Sequence, residues 1–228
     1  MGGIFPFPEN VSSFGGDIDF LFTVILIITG VVFVLVEATL IAFIFKYRHR
    51  DNHKAFYSHG NKRLEIIWTV ATAVIVLALG AWSWPLWLHV KNPADFPATQ
   101  MELVIRVKQF EWNIVYPGAD ARIGTADDFT RRNQLHIPVN TKVRAILESE
   151  DVIHSFFLPN FRLKQDAVPG MRIPIWFDAT RTGSWEIACA ELCGLGHYRM
   201  KGSVTVHTAE EFNSWQSQQV TTAAAGGN

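Results

Sequence analysis

Cysteine is nearly absent. The chain has two in 228 residues, Cys189 and Cys193, and they stand four positions apart. So close a pair excludes a disulfide framework and directs attention to metal chemistry. No C-x-x-C-H stretch occurs, which excludes a covalently attached c-type haem. The residues identify no other haem site. Net charge is also scarce, at −1, and no basic face is clustered outside one short loop, so nucleic-acid binding has no support. Lys and Arg are missing before Lys46. A secretory leader needs a positive start and a short apolar core. Residues 1–19, with Glu9, Asp17 and Asp19, are therefore expected to be a retained N-terminal tail.

Apolar residues are plentiful and unevenly spread. Residues 20–45 form an apolar run longer than the roughly 20 residues a bilayer span requires. Its one acid, Glu37, is expected to be protonated or paired at a helix contact, since a lone carboxylate in hydrocarbon is costly. Residues 46–63 carry Lys46, Arg48, Arg50, Lys54, Lys62 and Arg63 against Asp51. A short loop this basic stays on the cytoplasmic side. Residues 64–88 supply a second span, with Trp82, Trp84 and Trp87 at its far, interfacial end and Pro85 among them. Pro85 is expected to bend or end that helix. Two spans and a cytoplasmic loop place both termini outside, in the periplasm of a bacterium. The chain thus reads as an integral membrane protein of the bacterial plasma membrane.

Residues 89–98 read as a linker containing Asn92-Pro93. From residue 99 to 207 the periodicity becomes alternating. Strands are expected at 101–107, 110–116, 134–138, 142–147, 172–177, 185–188 and 203–207, and many short strands with turns between them make a sandwich or barrel. The Asp-bearing loop 117–128 has no EF-hand spacing and reads as plain surface. In the C-terminal segment 208–228, Thr208 is placed to cap a helix at 209–218, and the tail from Thr221 is expected to be disordered.

Four metal-binding side chains crowd into twelve residues: Cys189, Cys193, His197 and Met200. Thiolate, imidazole and thioether together favour copper over zinc or iron, because Met is a poor zinc ligand. A mononuclear blue-copper site needs one thiolate, and here there are two, which can bridge two coppers. A second imidazole must come from elsewhere, and His154 in Asp151-Val152-Ile153-His154-Ser155-Phe156 is the best source. A disulfide between the cysteines stays open on the residues alone, as do core roles for Met200 and His154. A disulfide closing so short a loop would stabilise little and leave His197 and Met200 unexplained.

The loop Cys189-x-Glu191-x-Cys193-x-x-x-His197-x-x-Met200 resembles that of subunit II of cytochrome c oxidase, the family with a binuclear CuA centre. Ser149 to Ser155, Leu163 to Gly170 and both spans extend the resemblance over nearly the whole chain. The resemblance implies a membrane-anchored all-β protein: an N-terminal two-helix transmembrane hairpin followed by a cupredoxin-like Greek-key β-barrel. It implies that Cys189 and Cys193 bridge the coppers. His154 and Met200 complete one copper, and His197 with the Glu191 carbonyl completes the other. The Glu191 side chain would ligate Mg or Mn shared with subunit I. Glu65, in Leu64 to Thr69, matches an acid near a proton-path entrance in the family, although an acid there is also a plain helix N-terminal residue favoured by the dipole. Family members carry a Trp over the coppers where electrons arrive. Aligned on Gln109, Phe110 stands at that position and Trp112 follows. Were this a strand, both would share a face. Glu150 and Asp151 are placed to steer a basic donor.

The implied function is that of subunit II of a haem–copper cytochrome c oxidase. It would take electrons from a c-type cytochrome and pass them to haem in subunit I, where oxygen is reduced to water with proton pumping. Subunit III is a further expected partner. The CuA subunit of a nitric oxide reductase fits the same residues, since the difference lies in the catalytic partner. A membrane-anchored copper-delivery protein is the rival of another class. It would have one anchor and a thioredoxin-like α/β body. Soluble nitrous oxide reductase lacks these spans, and quinol oxidases lack the copper ligands.

Overall fold

The computed structural model describes residues 7–51, 54 and 57–226. Residues 1–6 of the expected tail, 52, 53, 55 and 56 of the basic loop, and 227–228 of the C-terminal segment lie outside the described residues. The chain forms two compact units, Asp17–Trp87 and the remainder.

The first unit is built from α1 (Gly15–Lys46) and α2 (Lys62–Lys91). Both are long and apolar enough to cross a membrane. Asn61 caps α2, its side chain accepting from the backbone N–H of Arg63 at 3.0 Å and of Leu64 at 3.3 Å. Phe20 meets Trp82 edge to face at 5.8 Å. Pro85 does not end the helix: α2 runs through it to Lys91. Proline removes only its own N–H bond to the fourth residue back, and apolar spans tolerate that loss.

The other unit is a two-sheet body of ten strands among the described residues: β1 (Met101–Lys108), β2 (Glu111–Tyr116), β3 (Phe129–Arg132), β4 (Gln134–Pro138), β5 (Val143–Ser149), β6 (His154–Leu158), β7 (Leu163–Ala167), β8 (Ile173–Phe177), β9 (Gly183–Cys189) and β10 (Lys201–His207). One sheet has the order β3-β2-β1-β5-β8 and the other β4-β10-β9-β6-β7. The pairs β1–β5 and β10–β4 are parallel and the rest antiparallel. Parallel neighbours cannot be joined by hairpins, so the chain crosses between sheets. This is the Greek-key, cupredoxin-like arrangement. Alternation fills the core: Leu103, Ile105 and Val107 from β1 and Trp112, Ile114 and Tyr116 from β2 are all buried. Strands β3, β6 and β7 are additions to the expected set. Thr130-Arg131-Arg132 and Lys164-Gln165-Asp166 carry little apolar signal, and β6 is buried on both faces, so it does not alternate.

The N-terminal segment is strapped to this body. Val11 donates its N–H to the Asn160 carbonyl at 2.9 Å, and its carbonyl accepts from Thr180 N–H at 2.8 Å. Its side chain is fully buried, worth on the order of 2 kcal/mol. Phe14 packs edge-on against Trp176 at 5.1 Å. At the other end of the chain, α3 (Ala209–Gly226) starts with a capping box. Glu211 N–H donates to Thr208 Oγ1 at 3.2 Å and Thr208 N–H to Glu211 Oε2 at 2.9 Å. Trp215 of α3 stacks on His136 at 4.3 Å, and His136 Nδ1 lies 2.8 Å from His207 Nε2.

Candidate metal centre

Strand register brings the first two ligand candidates together. Phe156 of β6 lies directly opposite Cys189 of β9. His154 is two residues from Phe156, hence on the same face as Cys189. The β9–β10 loop then folds back on itself. Cys189 N–H donates to the Met200 carbonyl at 3.2 Å, and Ala190 N–H to the Ser155 carbonyl at 3.0 Å. A helical turn over His197–Arg199 is closed by Met200 N–H on the His197 carbonyl at 3.1 Å. Gly194 has φ +126°, a conformation that side chains of L-residues rarely adopt.

The result is a cluster of donor atoms. The two Sγ atoms are 3.7 Å apart and unbonded, so there is no disulfide. Cys189 Sγ lies 4.0 Å from His154 Nδ1 and 3.2 Å from the Glu191 carbonyl oxygen. Cys193 Sγ lies 3.6 Å from His197 Nδ1 and 3.7 Å from Met200 Sδ. His154, Cys193 and Met200 are buried, while Cys189 and His197 are half-buried. Two soft sulfurs, two imidazole nitrogens, a thioether and a carbonyl facing one point fit a thiolate-bridged copper pair.

Electrostatics favour one thiolate even before a metal arrives. Burial resists ionisation of Cys189, but hydrogen bonds from His154, from the backbone at Glu191 and Ser155, and from His197 outweigh it and bring the thiol down to about 6. Burial and the neighbouring Cys189 push Cys193 up to about 12. Two negative sulfurs so close need a cation between them.

Asp151 orders the buried imidazole. Its Oδ1 lies 2.9 Å from His154 Nε2 and accepts from Val152 N–H at 2.6 Å. Gln109 N–H donates to Oδ2 at 2.7 Å. Burial opposes its charge, yet these donors hold the carboxyl below its usual range. With Nε2 so engaged, Nδ1 is the nitrogen left to face the sulfurs. Gln109 reaches the loop as well, its Nε2 donating to the Cys193 carbonyl at 2.6 Å. Gln109 and this role of Asp151 were missed from sequence. The one available signal was the acid three residues before a candidate ligand histidine.

Phe110 lies in the β1–β2 turn and not within a strand, so strand alternation does not relate its direction to that of Trp112. Its ring covers Gly194 and Gly196 of the loop, where a Cβ built on Gly196 would fall 2.5 Å from Phe110 Cδ2. Trp112 is fully buried and meets His154 edge to face at 6.3 Å. Glu150 and the Glu191 side chain are exposed. Glu65 is in the other unit, exposed in the first turn of α2.

Comparison with known proteins covers both units. The family model described as cytochrome c oxidase subunit II, periplasmic domain, matches residues 103–207. The one described as cytochrome c oxidase subunit II, transmembrane domain, matches residues 2–86. The chain is 35% identical to alternative cytochrome c oxidase subunit 2 of Bradyrhizobium diazoefficiens over 235 residues, 93% of this chain and 83% of that protein. It is 31% identical to cytochrome c oxidase subunit 2 of Thermostichus vulcanus over 270 residues, 96% of this chain and 80% of the other. The crystal structure of the periplasmic domain of subunit II of cytochrome oxidase of Bradyrhizobium japonicum aligns with a TM-score of 0.47 at 31% identity, covering 55% of this chain and 97% of that one.

Proposed function

The chain belongs to the cytochrome c oxidase subunit II family, and on that footing we propose that it receives electrons from a c-type cytochrome and hands them to haem in the catalytic subunit of a haem–copper oxidase. The observation that carries this is the convergence of His154, Cys189, Cys193, His197, Met200 and the Glu191 carbonyl on one point. A copper pair held there would supply one-electron chemistry.

The residues of the chain do the rest. Cys189 and Cys193 would supply the thiolates. His154 and His197 present Nδ1, and Asp151 fixes the orientation of the first. Met200 and the Glu191 carbonyl close the set as weak ligands. Strands β6 and β9 carry His154 and Cys189, and the loop between β9 and β10 carries the other donors, so a folded-back loop on a sheet would limit rearrangement when the charge changes. Phe110 covers the loop as the contact for the incoming electron. On this reading the Glu191 side chain would serve a magnesium or manganese shared with subunit I, and Glu65 a proton-path entrance. Oxygen reduction and proton pumping belong to subunit I, with subunit III as a further partner. In the membrane, residues 46–63 face the cytoplasm, and both termini and the β body face outward. The all-β body and two spans speak for this reading over copper delivery, which would use an α/β thioredoxin-like body.

Copper analysis and electron paramagnetic resonance on the purified full chain test the proposal. We expect two coppers per chain and a mixed-valence spectrum. One copper with a four-line mononuclear spectrum would overturn it.

A further inference from the structure

The surface that carries the ligands is apolar where it is most exposed. Leu195, between the two glycines beneath Phe110, is 95% exposed, and Tyr198, one residue beyond His197, is 76% exposed. Ile153, next to His154, is exposed as well. Large apolar groups gathered in the open mark a contact site, and these sit on the two segments that bring the ligands together.

The charges around them cancel. Glu111, beside Phe110, is shared by Lys108 Nζ at 3.4 Å and Arg132 Nε at 2.5 Å. Glu148 is shared in the same way by Arg106 at 3.1 Å and Arg172 at 2.9 Å. Lys201 takes up Glu186 at 2.8 Å. The carboxylate of Asp151 is occupied by His154 and two backbone amides. Among the described residues beside the ligands, Glu150, Glu191 and Arg199 are in no ion pair, and Asp166, opposite Ser155, interacts with Lys91. Together with the paired groups, positive and negative charges around the loop are equal in number. This rim has no excess of negative charge with which to draw in a basic protein, so the acid-steered docking expected from Glu150 and Asp151 has little left to act through.

Resting on the electron-transfer reading above, we propose that the donor docks over Phe110, Leu195 and Tyr198 by apolar contact, and that its own face is apolar and near-neutral around its haem edge rather than ringed with lysines. Steered association between opposite charges is fast at low salt and falls steeply as salt rises. Apolar docking lacks that dependence, and loses rate when the exposed side chains are removed. A transient electron-transfer contact needs only a small interface, which three large side chains around a copper loop can supply.

Rapid mixing of the purified, copper-loaded oxidase complex with two probes tests this. One probe is a c-type cytochrome with a lysine-ringed haem edge, and the other is the same cytochrome with those lysines replaced by glutamine. We expect the neutral probe to reduce the copper at least as fast as the basic one. Its second-order rate should change less than about twofold between roughly 20 and 200 mM salt. Leu195→Ser and Tyr198→Ser should each slow it about fivefold or more, with the copper absorption spectrum unchanged. A rate for the basic probe that is the faster and falls about tenfold or more with salt would overturn the proposal, as would full rates in both serine variants. If neither probe reduces the copper at any salt concentration, the electron-transfer reading itself fails.

Discussion

Replacing Asp151 by asparagine removes a negative charge from behind His154, a proposed copper ligand, while keeping the side-chain shape. Asp151 Oδ1 lies 2.9 Å from His154 Nε2. Adding the width of the ring and a metal–nitrogen bond of about 2 Å puts the charge roughly 7 Å from a metal on Nδ1. At an effective dielectric near 20, a unit charge at that range is worth about 2 kcal/mol. The side chain is 30% exposed, and solvent reduces this to about 1 kcal/mol. Loss of the anion destabilises the oxidised metal more than the reduced one, so the potential should rise by about 40 mV, at about 2.3 kcal/mol per 100 mV. The variant also has one acceptor oxygen where aspartate offers two, and three donors now compete for it. One backbone amide is left short of a partner at about 1 kcal/mol. Copper affinity should drop about 10- to 100-fold, the usual cost of losing such a supporting contact. Redox titration on the copper absorption band measures the potential, and competition with a chelator measures the affinity. An unchanged or lowered potential with unaltered affinity would refute the view that Asp151 tunes the centre through His154.

Other expectations follow from the same geometry. Gly196→Ala sets a methyl 2.5 Å from Phe110 Cδ2 and should displace the ring, slowing reduction by the donor about tenfold. The copper spectrum should stay, and Phe110→Val in the same chain should restore thermal stability. Phe110→Ala alone should slow electron uptake without changing the copper spectrum, as rapid mixing would record. Met200→Leu should keep copper but shift its spectrum and potential, because a thioether is a weak ligand. The docking of α3 should depend on pH. Burial, then His207 and Arg131, lower His136 from its ordinary value of 6.5 to about 4, so the unfolded chain binds the extra proton first. Stability from this cluster is therefore complete above pH 6.5 and is lost as pH falls toward 4. A fully shielded ring would lose about 3 kcal/mol, and this half-buried one about 1–2 kcal/mol. Hydrogen exchange along α3 at pH 7 and 4.5 would show it, and His136→Phe, which keeps the stack on Trp215, should flatten the profile.

What the sequence made legible was local. The apolar runs that became α1 and α2, the Thr208–Glu211 capping box and the Cys-Glu-Cys-His-Met spacing are each contained in one short stretch, so periodicity or spacing is enough to find them. What it hid depends on contacts between distant residues. Asp151 reads as a surface acid until Gln109, 42 positions away, donates to it, and Gln109 looks unremarkable until it reaches Cys193, 84 positions away. The strap at Val11 is invisible because its partners, Asn160 and Thr180, belong to loops at the far end of the chain. Strand β6 escapes notice because burial on both faces removes the alternation that marks a half-exposed strand.

That hidden strand decides the site. The loop motif supplies four ligands within twelve residues, but the fifth side chain, His154, meets them only through the pairing of β6 with β9. Phe156 opposite Cys189 puts residue 154 on the sulfur-facing side. A slip of one residue would turn His154 to the opposite face and bring Ser155 or Ile153 round in its place. Neither can replace an imidazole, so the proposed metal site would lose a strong donor although every residue of the loop remained. The register in turn is held by what is buried along β6, where Phe156 and Leu158 are fully enclosed and Phe156 packs edge-on against Trp112 at 5.3 Å. Trp112 itself touches His154 edge to face. The same apolar packing that builds the barrel core therefore aims the ligand, and a change at Phe156 or Trp112 acts on the metal without touching a donor atom.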